Sequence, residues 1–468
     1  MAISYDAMII GTGQAGPPLA VRLAGAGMKV AIIERDRFGG TCVNTGCIPT
    51  KTLIASARVA HVARRAAEYG VAIGSSITVD MKRVKERKDA VVRRSNEGLE
   101  KSLANTENLT VYKGHARFEG ARQVRVGAEL IEADKIFINV GARAFTPPLP
   151  GFDQVSYFTN STMMEVDFLP EHLIVVGGSY VGLEFGQMYR RFGSEVTIVE
   201  RGPNLIKRED QDVSEAVRKV LENEDIGIRL NAECIGVEKQ GKRIAVNVDC
   251  ATGDRTVIGS HLLLAVGRTP NTDDLGLEKA GVAVDQRGYI EVDDQLRTNV
   301  PGIYALGDCN GRGAFTHTSY NDYEIVAGNL LDDDRRRISD RITAYALYTD
   351  PPLGRAGMTE AAVRKTGRKA LMATRPMTRV GRAVEKGETQ GFMKILVDAD
   401  TKEILGASLL GIECDEVIHS ILDVMYAKAP YTVIQRAMHI HPTITELIPT
   451  LLGDLKPLDH EKLSRPAQ

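Results

Sequence analysis

The chain has 468 residues, of which 43% are hydrophobic and 26% charged, with a formal net charge of −2. This length predicts several globular domains with a core that needs no staples, and the near-neutral balance excludes a nucleic-acid or anionic-membrane binder. No apolar run approaches the ~18 residues of a membrane span, no leader pattern precedes the first strand, and six cysteines point to a reducing compartment, the cytoplasm.

In chain order, residues 6–10 read as a buried strand, Gly11-Thr12-Gly13-Gln14-Ala15-Gly16 as a turn, the stretch to about Ala26 as a helix, and 29–33 as a second strand closed by Glu34. This is a βαβ unit with GxGxxG spacing. Gly11 allows the tight turn, Gly13 lets the backbone approach a pyrophosphate, and Gly16 lets helix and strand pack closely. The helix start offers free N–H groups to phosphates, and Glu34 is placed to bind an adenosine ribose. Pro17 and Pro18 fall in the first helical turn, where a missing N–H costs little.

Amphipathic helices are predicted over 59–68 and 81–103, and strands over 110–126 and 130–140. The opening unit then recurs. Residues 172–176 are apolar, Gly177-Gly178-Ser179-Tyr180-Val181-Gly182 is the turn, a helix runs to about Phe192, and the strand 195–199 ends at Glu200. The acid follows the first glycine at the same interval in both units, which implies two nucleotide-binding domains. Ser179 replaces the second glycine, and its side chain could crowd a pyrophosphate. Glu200 would bind a 2′-hydroxyl and repel a 2′-phosphate, which favours NADH, although Arg201, Lys207 and Arg208 behind it could hold that phosphate.

The second unit ends near Asn271. Residues 298–308 form a buried strand ending in Gly-Asp, and DDDRRR at 332–337 reads as a solvated surface. From 342 the pattern changes to short strands and helices. Residues 391–398 and 403–411 read as neighbouring strands, 444–452 as the last helix, and the polar tail from Lys456 as frayed.

Two stretches carry chemistry. GGTCVNTGCIPTK, 39–51, holds Cys42 and Cys47. A closed zinc site wants four ligands, and the other cysteines are scattered singly, so no metal site is predicted. A pair that closes needs a distorted turn, because five helical steps rise ~7.5 Å. Asn44 and Gly46 permit one. Pro49 opens a helix, which places Cys47 at its N-terminus, where a thiolate is stabilised, with Lys51 one turn on. A redox pair is the favoured reading, with an inert buried pair as its rival. The second stretch, 439–446, contains His441-Pro442 and Glu446. Thiol–disulfide exchange needs a group that moves a proton between sulfurs, and a histidine oriented by a carboxylate suits it; alone, such a histidine is more often a surface or capping residue.

Together these residues resemble the pyridine nucleotide–disulfide oxidoreductases. GGTCVNTGCIPTK matches the redox motif of that family, TNVPGIYALGD its second FAD motif and HPTITE its catalytic His–Glu motif, and the likeness spans essentially the whole chain. The resemblance implies an α/β fold with two Rossmann-like dinucleotide-binding domains and a C-terminal α+β dimerisation domain. The FAD-binding domain would comprise 1–150 and 272–341, the NAD(P)H-binding domain 151–271 and the interface domain 342–468. It implies that Gly11, Gly13, Gly16, Glu34, Thr41, Lys51, Ala116, Asp308 and Thr316 hold FAD, and that Gly177, Tyr180, Gly182, Glu200 and Gly267 hold NADH or NADPH. Lys51 would lie near the reactive flavin nitrogen and pair with Glu184, and Tyr180 would cover the flavin until nicotinamide enters. Cys47 would contact flavin and Cys42 would attack substrate. His441 and Glu446 would complete the site of the other subunit of a homodimer.

Within the family the chain looks most like mercuric reductase-like proteins and flavoprotein reductases of the reactive-chlorine response. It has no vicinal cysteine pair near its C-terminus and it keeps His441, two departures from mercuric reductases. Both favour a disulfide or sulfur-linked oxidant as acceptor over a soft metal ion such as Hg(II) or Cu(II).

Overall fold

The computed structural model describes residues 2–250 and 253–458. A seven-stranded sheet is built on Ile3–Ile10, which is flanked in parallel by Val30–Glu34 and by Glu129–Ile138. Val30–Glu34 is buried along its whole length, as expected of a parallel strand covered on both faces. Leu109–Lys113 extends one edge in parallel, and Gln123–Val126 and Ala116–Gly120 extend the other as an antiparallel ribbon. A later strand, Ile303–Ala305, pairs in parallel with Glu129–Ile138, so two distant stretches of chain share one sheet.

Between them lies a second parallel sheet, in the order Gly227–Arg229, Glu195–Val199, His172–Val176 and His261–Leu264, with a three-stranded antiparallel sheet beside it. The chain enters and leaves this unit through an antiparallel ribbon, Ala142–Ala144 on Arg268–Pro270. The C-terminal part is a six-stranded antiparallel sheet, Ala344–Leu347, Leu353–Gly357, Ile404–Leu410, Phe392–Asp398, Ala370–Pro376 and Lys456–Pro457, backed by the helix Cys414–Tyr426.

Five local expectations change. The strand read over 298–308 is only Ile303–Ala305, followed by a 3₁₀ turn over Gly307–Asn310. The helix anticipated over 59–68 is the end of one long helix, Cys47–Arg64, followed by a single 3₁₀ turn at Ala66–Tyr69. The strand expected over 110–126 is three strands, interrupted at Gly114 (φ +155°) and by the turn after Gly120. The last helix is a 3₁₀ turn, Thr445–Leu447, and then an α-helix, Ile448–Gly453, because Pro449 has no N–H to continue an earlier ladder. The tail is ordered at first. Lys456–Pro457 pairs with Met372 and Leu371, and Leu458 is buried against Val363, Ala370, Leu396 and Leu405; its remainder, 459–468, lies outside the described residues.

Candidate active site

A cavity of about 790 Å³ runs from the first glycine turn to the two cysteines. Gly11 adopts φ +99°, and a Cβ there would collide with the Asn139 carbonyl. At Gly13 a Cβ would lie 2.8 Å from Asn139 Oδ1, so the glycines keep a cradle open. Asn139 is a site residue that motif spacing did not reveal. Its Oδ1 accepts from Gly16 N at 3.0 Å and its Nδ2 donates to Leu306 O at 2.9 Å, joining the first turn to the 298–308 segment. Its only sequence signal is its place at the end of a strand just before Gly141.

Glu34 closes the other end. Its carboxylate accepts from Thr12 N at 3.0 Å and Asp36 N at 2.9 Å, which fixes it at the mouth of the turn with acceptor capacity to spare. Thr41, Ala116, Asp308 and Thr316 all line the same cavity. Burial pushes the Asp308 carboxyl up, against the pull of Arg268 3.2 Å away. Arg268 Nε is buried without a hydrogen-bond partner among the described residues. The donor set, glycine cradle and orphaned guanidinium nitrogen fit an elongated dinucleotide such as FAD.

The cysteines sit where two helices meet. Cys42 is in the short helix Gly40–Asn44, Thr45 and Gly46 break it, and Cys47 begins Cys47–Arg64. This is the distorted turn that closure of the pair requires. Both are free thiols, and each is the group that acts most strongly on the other's protonation. Cys47 is drawn down to about 6, first by Cys42 and against burial, with Thr316 and Lys51 helping. Cys42 is pushed up by Cys47 and by burial. The two thiols are thus shifted in opposite directions, Cys47 toward the thiolate and Cys42 away from it. Thr316 Oγ1 lies 3.1 Å from Cys47 Sγ. Lys51 Nζ lies 2.8 Å from the buried Glu184 carboxylate and 4.5 Å above the Tyr348 ring.

The second turn has a different setting. Gly177 (φ +118°) faces the Ala265 carbonyl, and Gly182 packs against the carbonyl of Gly177. Glu200 accepts from Gly178 N at 2.7 Å and Gly202 N at 2.8 Å, repeating the arrangement of Glu34. Ser179 is exposed and extended, with φ −113°, so its backbone needs no glycine. Gly267 (φ +141°) precedes Arg268 at the crossing ribbon. Tyr180 reaches from this turn into the large cavity, edge-on to Phe315 and Tyr345.

His441 and Glu446 are not among the residues lining that cavity. His441 Nδ1 lies 2.9 Å from Glu446 Oε2, and the imidazole is 77% exposed. Met438 and Ile440 beside it are 99% and 81% exposed. Among the described residues no group of three or more His, Cys, Asp or Glu side chains could hold a metal ion, and no helix is long and apolar enough to cross a membrane.

Residues 5–322 match the pyridine nucleotide–disulphide oxidoreductase family, and 343–452 match the dimerisation domain of that family. The chain is 37% identical to the probable pyridine nucleotide-disulfide oxidoreductase RclA of Escherichia coli, over 97% of this chain and 99% of the relative. It is 34% identical to a dihydrolipoyl dehydrogenase of Thermus scotoductus, over 95% of each. The solved Cu(II) complex of RclA, an HOCl-induced flavoprotein disulfide reductase from Escherichia coli, superposes with a TM-score of 0.87 at 36% identity, covering 96% of this chain and 99% of that one. The chain belongs to the pyridine nucleotide–disulfide oxidoreductases, and it is an FAD-dependent oxidoreductase that uses a pyridine nucleotide.

Proposed function

We propose that the enzyme takes electrons from NADH and delivers them through Cys42 and Cys47 to a disulfide or other sulfur-linked oxidant. The observation that carries this reading is the placement of the pair: two free thiols at a break between two helices, lining the end of the cavity, with Thr316 Oγ1 3.1 Å from Cys47 Sγ. Gly11, Gly13, Gly16, Glu34, Thr41, Ala116, Asp308 and Thr316 would hold FAD, with Lys51 beside its reactive end. FAD, when bound, supplies two-electron transfer between reduced nicotinamide and the cysteine pair.

The cavity residues then have separate tasks. Cys42 first, then Thr316 and Lys51, which is held by Glu184, favour the thiolate of Cys47. Cys42 keeps its proton, so it needs a base before it can attack. In a homodimer the exposed His441 of the partner subunit, oriented by its own Glu446, would take that proton. Cys42 Sγ attacks the acceptor sulfur, and the imidazolium returns the proton to the leaving thiolate. Cys47 Sγ then attacks Cys42 Sγ, releasing the second acceptor sulfur and closing the Cys42–Cys47 bond. The pair loses two electrons and the acceptor gains them. Tyr180 covers the inner end of the cavity until nicotinamide enters.

Glu200 supports NADH. Its two backbone bonds fix a negative charge where a 2′-phosphate would sit, while Arg201, Lys207 and Arg208 are exposed. The cysteine content and free thiols support a cytoplasmic setting.

A soft metal ion is the second acceptor class, favoured by two adjacent sulfurs and by the Cu(II) complex of RclA. NADH oxidation measured with lipoamide, glutathione disulfide, hypothiocyanous acid, Hg(II) and Cu(II) separates the two. Turnover of a sulfur acceptor that falls by about 10²–10⁴ in His441→Ala supports the disulfide reading. Turnover of the metals alone, unaffected by His441→Ala, overturns it.

A further inference from the structure

Behind Tyr180 lies a buried polar chain that none of the proposed chemistry uses. The Tyr345 hydroxyl donates to Glu209 Oε1 at 2.6 Å. Glu209 Oε2 accepts no hydrogen bond among the described residues and lies 3.6 Å from Nη1 of Arg355, a guanidinium that is only 1% exposed. Arg355 Nη1 donates to Ser408 and its Nη2 has no partner among the described residues. Asp210 and Lys394, 3.1 Å apart, are the other charges that act on Glu209.

The ends of this chain matter. Glu209 finishes the loop that starts at Glu200 and carries Arg201, Lys207 and Arg208, the loop assigned to the adenosine end of the nucleotide. That loop is tied to the glycine turn by Ile206 N donating to Gly178 O at 2.8 Å, and to the C-terminal sheet region by Asp210 accepting from Glu360 N at 2.9 Å. Tyr345 lies in Ala344–Leu347, stacked on Phe315 with centroids 5.4 Å apart at 18°. It meets the Tyr180 ring edge-on at 5.5 Å. The Tyr180 hydroxyl is buried and makes no well-formed hydrogen bond among the described residues, but it and the Tyr345 hydroxyl lie close enough to act on each other. The closed ring is therefore held by its aromatic walls and, at its polar tip, by Tyr345, and Glu209 fixes that residue.

We propose that Glu209 is a positioning residue for nicotinamide entry: through the Tyr345 hydroxyl it anchors the wall against which Tyr180 closes, and so joins the adenosine-binding loop to the nicotinamide gate. The proposal rests on the reading of Tyr180 as a gate. A purely structural tie between loop and sheet would affect both ends of the nucleotide alike, whereas an anchor for the gate affects one.

The test is calorimetric titration of oxidised holoenzyme with two probes. ADP-ribose fills only the adenosine end; a non-reducing tetrahydronicotinamide dinucleotide also requires Tyr180 to move. Tyr180→Ala is expected to raise the affinity of the dinucleotide relative to ADP-ribose. Tyr345→Phe keeps the ring and removes the anchor. It is expected to raise the same ratio by about three- to ten-fold, the range that an edge-to-face ring contact is worth. Glu209→Ala removes the acceptor but leaves the Tyr345 hydroxyl in place, and is expected to raise the ratio as Tyr345→Phe does. Glu209→Gln retains an acceptor and should stay within about two-fold of the parent. A Glu209→Ala ratio at the parent value overturns the role of Glu209. A ratio that rises in Tyr180→Ala but not in Tyr345→Phe overturns the role of Glu209 and leaves the gate standing. A ratio unchanged in Tyr180→Ala overturns the gate, and the proposal with it. Tyr345→Phe is a mild substitution, and a thermal melt close to that of the parent shows that the fold is retained.

Discussion

The two glycine turns have the same spacing and nearly the same internal bonds, yet they sit in different surroundings. Glu34 accepts from Thr12 and Asp36, and Glu200 accepts from Gly178 and Gly202. Around the first turn, Asn139, Asp308 and Thr316 arrive from remote segments and wall off a deep cavity. Around the second, Ser179 and Val181 are exposed, and Tyr180 reaches into the same cavity from the start of its helix. On the proposed assignment, the resident cofactor is held by enclosure and the exchanging one by an open face with a gate. The motif builds the turn; the neighbours decide how long the ligand stays.

That contrast breaks most visibly at the second glycine. Gly13→Val puts branched carbons against Asn139 Oδ1, so the purified protein should lose nearly all its flavin absorbance. Full flavin content would show that the cradle is looser than its contacts. Cys42→Ser, at the far end of the enclosed cavity, should lower acceptor turnover on the order of 10³-fold or more, as loss of a nucleophile does. Stopped-flow reduction of the bound flavin by NADH should persist in that variant, and substantial acceptor turnover would move the chemistry away from the pair.

Smaller effects sharpen the open site. Glu200→Ala should shift the kcat/KM ratio of NADH to NADPH toward NADPH by about ten-fold, a difference of ~1.4 kcal/mol. An unchanged ratio would mean that Glu200 only ties the turn. Ser179→Gly should change the KM for nucleotide by no more than about two-fold, because the backbone there is already in a common conformation. The pH dependence sets the enclosed end apart again. Since the pKa of Cys47 lies below its ordinary value, its thiolate is present above about pH 6 and lost below it. Cys42 is shifted the other way. Ultraviolet titration of the reduced protein should therefore show one thiolate forming near pH 6, well separated from the second; two thiolates appearing together would remove the division of labour.

Much of this was legible in the residues. The paired βαβ units, the helix opening at Cys47 and the neighbouring strands Phe392–Asp398 and Ile404–Leu410 follow from glycine spacing, proline placement and apolar runs. Local patterns were misread where a break depended on one residue, as at Gly114 and Pro449, or where a short polar tail hid one apolar anchor, Leu458. Asn139, Tyr345, Tyr348 and Glu209 had no local signature, because each acts on a segment far along the chain.

The sequence by itself determined the family, the two turns, the cysteine pair and the acid–base pair, since each is a short-range pattern whose spacing is set by backbone geometry. Only the tertiary structure decided which turn is enclosed, which cysteine holds its proton, and that His441 stands outside the cavity of its own chain. Burial, hydrogen-bond partners and charge separation are properties of folded neighbours, and no spacing of residues along a strand encodes them one by one.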